Sequence, residues 1–90
     1  MEAIITIQEI GGNPKLEVEV NLTDSVKSLV QTANEWMNTR KRSGRGGMSG
    51  LAFFQPITNK PLDLMQSEYL TMTLGEVGIV DGSVVTARES

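Results

Sequence analysis

The sequence predicts an α+β fold in which a mixed sheet of four to five strands packs on one main helix. Three features predict this fold. The stretch at about residues 24–38 has the one long helical pattern, the segments on either side of it alternate like strands, and both ends of the chain are strand-like. Most helical stability comes from packing an apolar face, so a one-faced helix needs cover. A sheet whose middle holds the first and last strands side by side would provide it.

The predicted helix has one apolar stripe and one polar face. Its apolar residues recur at i, i+3, i+4, i+7, i+10 and i+11, and they are Val26, Leu29, Val30, Ala33, Trp36 and Met37. Asn34 lies between them and is predicted to face water. Thr23 is predicted to be the N-cap, because its hydroxyl can accept a backbone N–H of the first turn. Asp24 places a negative charge near the positive end of the helix dipole.

Alternating apolar residues predict strands before the helix. The first strand is predicted at residues 3–10 and the second at Lys15–Asn21, joined by the turn residues Gly11-Gly12-Asn13-Pro14. Their inward-facing residues would be Ala3, Ile5 and Ile7 on the first strand and Leu16, Val18 and Val20 on the second.

A loop rich in glycine and arginine is predicted after the helix, at about residues 40–50. It holds four of the eight basic residues and four of the nine glycines. Because glycine loses much conformational entropy on ordering, we expect this loop to be flexible. A short third strand follows at Leu51–Phe54, with Leu51 and Phe53 facing inward.

The last third of the chain is predicted to be mostly irregular before a final strand. Prolines interrupt residues 55–72, although residues 62–65 could add a very short strand. A single helical turn is predicted at residues 73–77. Residues 80–83 are a turn, and residues 83–88 are the last strand, with Val85 and Ala87 facing inward.

Composition predicts one domain, residues 1–90, and argues against catalysis. The chain has no histidine and no cysteine, so it lacks the commonest general base and the commonest metal ligands, and we expect no enzyme activity, no cofactor and no metal. No apolar run approaches the roughly 20 residues that span a bilayer, so no membrane insertion is expected. The first residues lack the pattern of a signal peptide, which predicts a cytoplasmic protein. The net charge of −3 argues against nucleic-acid binding.

Three pieces of the sequence, in order, resemble the ubiquitin-like β-grasp family. Residues 16–20, Leu-Glu-Val-Glu-Val, are similar to a leucine-glutamate-valine-glutamate run in ubiquitin. Residues 23–27 are similar to the start of the family's helix. Residues 73–85 are similar to the family's "TLxDyGIxdGstl" ending, in which Leu74 and Ile79 would be core. The chain is identified as a divergent member, and the resemblance covers nearly all of it.

The resemblance implies a protein-binding function on the open face of the sheet. Ubiquitin-like domains bind partners there, and by position this face would hold Ile4, Ile10, Ala52, Phe54, Thr86 and Arg88. The partner would be a protein whose identity the sequence does not name. Accessory proteins of type VII secretion, small subunits of multicomponent monooxygenases and adaptors in degradation pathways are the roles that the family suggests.

Two alternatives stand beside this interpretation. Ubiquitin-type modifiers and sulfur carriers end in two glycines, whereas this sequence ends in Ala87-Arg88-Glu89-Ser90. We therefore expect noncovalent binding, and a modifier or sulfur carrier with a processed or extended form is the alternative. The basic loop residues Arg40, Lys41, Arg42 and Arg45 could bind an acidic partner or a phosphate, or could simply be solvated at the negative end of the helix dipole.

Overall fold

The computed structural model describes residues 2–10, 15–40 and 48–89. These residues form five strands and two helices. In chain order they are β1 (Glu2–Glu9), β2 (Lys15–Asn21), α1 (Val26–Arg40), β3 (Met48–Phe54), β4 (Pro61–Asp63), α2 (Ser67–Leu70) and β5 (Val84–Glu89).

The five strands form one mixed sheet in the order β2-β1-β5-β3-β4. β1 and β5 lie side by side and parallel in its middle, with Ile7 opposite Val85. β2 pairs antiparallel with β1, and β3 pairs antiparallel with β5. The predicted α+β fold, with the two end strands adjacent at the centre, is confirmed.

The core lies between one face of this sheet and α1. Ile5, Ile7 and Val85 are fully buried, and the α1 residues Val26 and Ala33 are buried against the same cluster. The predicted inward residues of β1, β3 and β5 are all buried. Those of the edge strand β2 are half-buried, since an edge strand has a neighbour on one side only.

The start of α1 differs from the prediction. The helix begins at Val26 and ends at Arg40, two residues later at each end than predicted. Its N-cap is Ser25, whose Oγ accepts the Ser28 N–H at 3.3 Å, while the Thr23 hydroxyl donates to Asn21 Oδ1 at 2.8 Å. A β-bridge between Ser25 and Thr73 holds the chain extended up to the cap. The prediction of Thr23 as N-cap is therefore wrong.

The strand β3 begins three residues earlier than predicted. Residues 48–50, assigned to the basic loop from sequence, pair with the end of β5, and Met48 is 8% exposed. Asn34 was expected to face water. Instead it is half-buried, and its Oδ1 accepts the Met48 N–H at 3.0 Å. The rest of the predicted loop, residues 41–47, lies outside the described residues.

The segment between β3 and β5 is more ordered than predicted. The very short strand is confirmed as β4, and Leu64 after it is fully buried. The one-turn helix α2 was missed, because four residues are too few to show a helical period. The helical turn predicted at residues 73–77 is present as one isolated turn that does not continue into a helix, in which the Val77 N–H donates to the Thr73 carbonyl at 3.3 Å.

Reciprocal hydrogen bonds fix the turn that precedes the last strand. The Thr73 N–H donates to Glu76 Oε1 at 2.9 Å, and the Glu76 N–H donates to Thr73 Oγ1 at 3.1 Å. This turn places Leu74, Val77 and Ile79 in the core. The chain then reverses at residues 80–83 before entering β5.

Replacing Leu74 tests this part of the core. Leu74→Ala should lower the free energy of unfolding by about 2–5 kcal/mol, because a fully buried side chain leaves a cavity. Ile57→Ala is the control, since Ile57 is 97% exposed, and it should change stability by about 0.5 kcal/mol or less. Urea denaturation followed by circular dichroism measures both values. Equal effects of the two substitutions would contradict the packing described.

The bond to Glu76 predicts a specific loss of stability in acid. The hydrogen bonds from the Thr73 backbone and hydroxyl lower the pKa of Glu76 below its usual value of 4.5. The pKa of Glu76 is thus lower in the folded state than in the unfolded state. The hydrogen bonds therefore stabilise the fold at any pH above the unfolded-state pKa, and this stability is lost as the pH falls through the folded-state pKa. In Glu76→Gln, the melting temperature should therefore fall less on acidification than in the unmodified protein.

Glu68→Gln is the matched control for this experiment. Glu68 is exposed on α2, and the substitution removes the same charge. Its melting temperature should fall on acidification as steeply as that of the unmodified protein. A Glu76→Gln profile that follows the unmodified protein at every pH would show that the Thr73 bond has no part in acid sensitivity.

Candidate protein-binding face

The sheet has one covered face and one open face. The covered face packs on α1, and we call the opposite one the open face. Successive side chains of a strand point to opposite sides, so the residues that alternate with the buried ones lie on the open face. All six residues predicted for partner binding lie there: Ile4, Ile10, Ala52, Phe54, Thr86 and Arg88.

Four of these six residues line one shallow groove of about 220 Å³. Ala52 lies opposite Thr86 across the β3–β5 pair, and Gly50 lies opposite Arg88. Ile10 reaches the groove from the end of β1, where its N–H donates to the Ala87 carbonyl at 2.9 Å. The parallel β1–β5 pair and the antiparallel β3–β5 pair thus bring residues from three strands together.

The groove combines apolar surface with two opposite charges. Ile10 is 51% exposed, and small residues form the floor, since Gly50 and Ala52 have little or no side chain. A Cβ added at Gly50 would lie 3.8 Å from the Cβ of Arg88. The Arg88 cation and the Asp63 carboxylate belong to the same lining. This arrangement can hold a small apolar side chain and give a partner one cation and one anion for orientation.

Ile4 and Phe54 lie on the open face but outside the groove. They are 50% and 48% exposed. Between them lies Val84, which is 45% exposed and was not among the predicted site residues. The alternation along β5 placed Val84 on the outer face, but only the strand register shows that it adjoins the other two.

A second feature missed from sequence is the turn between β3 and β4. Ile57 lies in it, 97% exposed, beside a concave region of about 300 Å³ that Phe53, Pro56 and Val77 also line. The Gln55 N–H donates to the Lys60 carbonyl at 3.1 Å and closes the turn. The sequence shows only a lone isoleucine among turn residues, which carries no periodic signal.

The basic loop is mostly outside the described residues. Arg40 is the last residue of α1, whereas Lys41, Arg42 and Arg45 are among the residues the structure does not describe. The hypothesis that these basic residues bind an acidic partner or a phosphate therefore stays a prediction.

The described residues show no cluster of three or more histidine, cysteine or acidic side chains that could hold a metal ion. Within the same ranges, no helix has the length and apolar character needed to cross a bilayer. The described groups on the open face include exposed carboxylates, the exposed guanidinium of Arg88, the exposed ammonium of Lys15, polar uncharged side chains and apolar side chains. These groups are suited to protein contacts.

Comparison with solved structures shows the fold. No protein-family model and no curated protein matches the chain. The C-terminal ubiquitin-like domain of mouse tubulin-specific chaperone e superimposes with a TM-score of 0.69 at 11% identity, over 99% of this chain and 87% of that one. Ubiquitin of Caldiarchaeum subterraneum superimposes with a TM-score of 0.68 at 20% identity, over 100% of this chain and 95% of that one.

A third similar structure is a chain of the toluene 4-monooxygenase HD complex with the inhibitor 4-bromobenzoate. It superimposes with a TM-score of 0.63 at 14% identity, and each chain is covered over its whole length. The chain therefore has the ubiquitin-like β-grasp fold, as the sequence resemblance implied.

Proposed function

We propose that this protein is a noncovalent protein-interaction module, an adaptor or accessory subunit of a larger complex. The observation that carries the proposal is the groove on the open face, where Ile10, Ala52 and the β5 residues Thr86 and Arg88 come together from three distant segments of the chain. Exposed apolar surface next to charged groups is the usual composition of a protein-binding surface.

The proposal excludes catalysis and nucleic acid as the primary function. The sequence has no histidine or cysteine, and the charged groups of the open face are carboxylates, the Arg88 guanidinium and the Lys15 ammonium. A net charge of −3 opposes binding to a phosphate backbone. Contact with a protein partner in the cytoplasm is the function that these groups support best.

The monooxygenase likeness supports a role inside a multi-subunit assembly. That chain is part of a complex, and it matches this protein from end to end. A small subunit that docks onto a larger oxygenase is therefore one specific form of the proposal, and an accessory protein of type VII secretion is the other. Both would use the sheet as a docking surface without forming a covalent bond.

Charge reversal in the groove tests the proposal. Ala52→Asp combined with Arg88→Glu should weaken partner binding at least about tenfold, because it places negative charge on the apolar floor and removes the cation. The melting temperature should hardly change, since Arg88 is exposed and Ala52 only half-buried. Affinity capture from the native cytoplasm, with and without full denaturation, identifies the partner, and titration with the purified partner gives the affinity.

A matched control separates the groove from net charge. Lys27→Glu with Gln31→Glu makes the same change in charge on the exposed face of α1. It should leave partner binding unchanged. Binding that survives the groove variant would reject this surface, and adducts that persist after denaturation would reject noncovalent binding in favour of a modifier.

A further inference from the structure

We propose that a second area of the open face, the acidic-rimmed patch, docks a basic and apolar peptide segment of a partner protein. We define this patch as Ile4, Val84 and Phe54 together with the neighbouring carboxylates of Glu17, Glu19 and Asp81. It is a different surface from the groove, and the negative charge of the patch favours a basic occupant. The inference therefore does not depend on the groove.

The three apolar residues of the patch form one continuous strip across three strands. Val84 lies opposite Thr6 of β1, and the register that pairs Phe53 with Val85 brings Phe54 beside Val84. Ile4 is two residues before Thr6 and is therefore the diagonal neighbour of Val84.

The strip is large enough for a peptide to bind. It crosses two strand spacings, which is about 10 Å. Its three members are 50%, 45% and 48% exposed, so each presents about half of its side chain to solvent. Single exposed apolar residues are ordinary on protein surfaces, whereas contiguous ones mark interaction sites. A strip of this length matches two or three apolar side chains on one side of a short peptide.

Carboxylates surround the Ile4 end of the strip. Glu19 lies directly opposite Ile4 on β2, and Glu17 lies opposite Thr6. Asp81 approaches from the turn before β5, where its Oδ1 accepts the Ile4 N–H at 2.7 Å. Glu19 and Asp81, together with Glu2, line a concave region of about 250 Å³ beside Ile4.

The carboxylates at this end lie close enough to interact. The pKa of Glu19 is raised above its usual value, mainly by a side-chain hydrogen bond with Glu2 and next by the negative charge of Glu2. Across the described strands β1 and β2, Lys15 is the one basic residue, and it pairs with Gln8 at the far end of the hairpin. Lys60 adjoins the Phe54 end of the strip through Pro61.

Charge complementarity identifies the occupant. A Lys or Arg side chain placed at the Ile4 end would meet several carboxylates, and it would relieve the crowding of Glu2 and Glu19. An acidic peptide or a phosphate chain would meet the same charges with the wrong sign. The strip then takes the apolar residues of the same segment. The partner chemistry is therefore a peptide with apolar residues on one side and Lys or Arg clustered at one end.

A titration followed by NMR tests this inference directly. The probe is a synthetic amphipathic peptide of leucine and lysine, added to the uniformly ¹⁵N-labelled protein. Backbone amide shifts should concentrate at Ile4, Glu19, Val84 and Phe54, and the affinity should fall several-fold as salt rises, because exposed charges are screened. The same peptide with glutamate in place of lysine should cause no shifts. Shifts that concentrate elsewhere would overturn the inference.

Two charge-reversal variants make the test specific. Glu17→Lys with Glu19→Lys should weaken peptide binding at least about tenfold, whereas Glu35→Lys with Glu68→Lys, the same charge change on the exposed faces of α1 and α2, should weaken it by about twofold or less. Equal losses would show that net charge alone drives binding and would overturn the inference. Circular dichroism confirms that each variant is folded.

The groove variant distinguishes this inference from the proposed function. Ala52→Asp with Arg88→Glu should not weaken the peptide affinity, because those residues lie outside the patch and the added negative charge favours a basic peptide. If this variant weakened peptide binding as much as the Glu17 and Glu19 variant, the groove would be the binding site, and the inference would fail while the proposed function stood.

Discussion

The structure depends on the parallel pairing of β1 with β5. This pairing joins the two ends of the described chain in the middle of the sheet and buries Ile5, Ile7, Val85 and Ala87 beneath α1. Contacts so distant in sequence cost loop-closure entropy, and the apolar surface that they bury must offset this cost. With one long helix to pack, the sheet is covered on one face, and the other remains available for binding.

The open face divides into two areas of different chemistry. The groove at the Ile10 end has a small-residue floor and one charge of each sign, whereas the patch at the Ile4 end joins an exposed apolar strip to an acidic rim. The two areas share the backbone of β1, β3 and β5.

Much of the fold was predictable because its signals are periodic. The α1 stripe and the alternation in β1, β3 and β5 bury the residues that the period indicates, except that Val30 and Trp36 of α1 are half-buried. All six predicted site residues lie on the open face. Periodicity does not determine the residue at which a helix or strand begins or ends. Thr23 and Ser25 are both good N-cap residues, and the bridge from Ser25 to Thr73, distant in sequence, selects Ser25. Met48 joins β3 because β5 and Asn34 pair with it.

The grouping of exposed residues was the least predictable feature of the candidate site. Alternation places Val84 on the outer face, but only the register of β5 against β1 and β3 shows that it joins Ile4 to Phe54. The same register makes Phe54 and Val84 the next pair along β3 and β5 after Ala52 and Thr86. A face can therefore be predicted from one strand at a time, whereas a site requires the pairing of several strands.

The central claim is that protein partners bind the open face of the sheet. Photo-crosslinking in the cell tests it most directly, with a benzophenone amino acid placed at Ala52 or at Gln31 on the exposed side of α1. The open face account predicts that irradiation links Ala52 to a partner while Gln31 gives no specific product. A partner linked through Gln31 alone would contradict the account and would place binding on the helix.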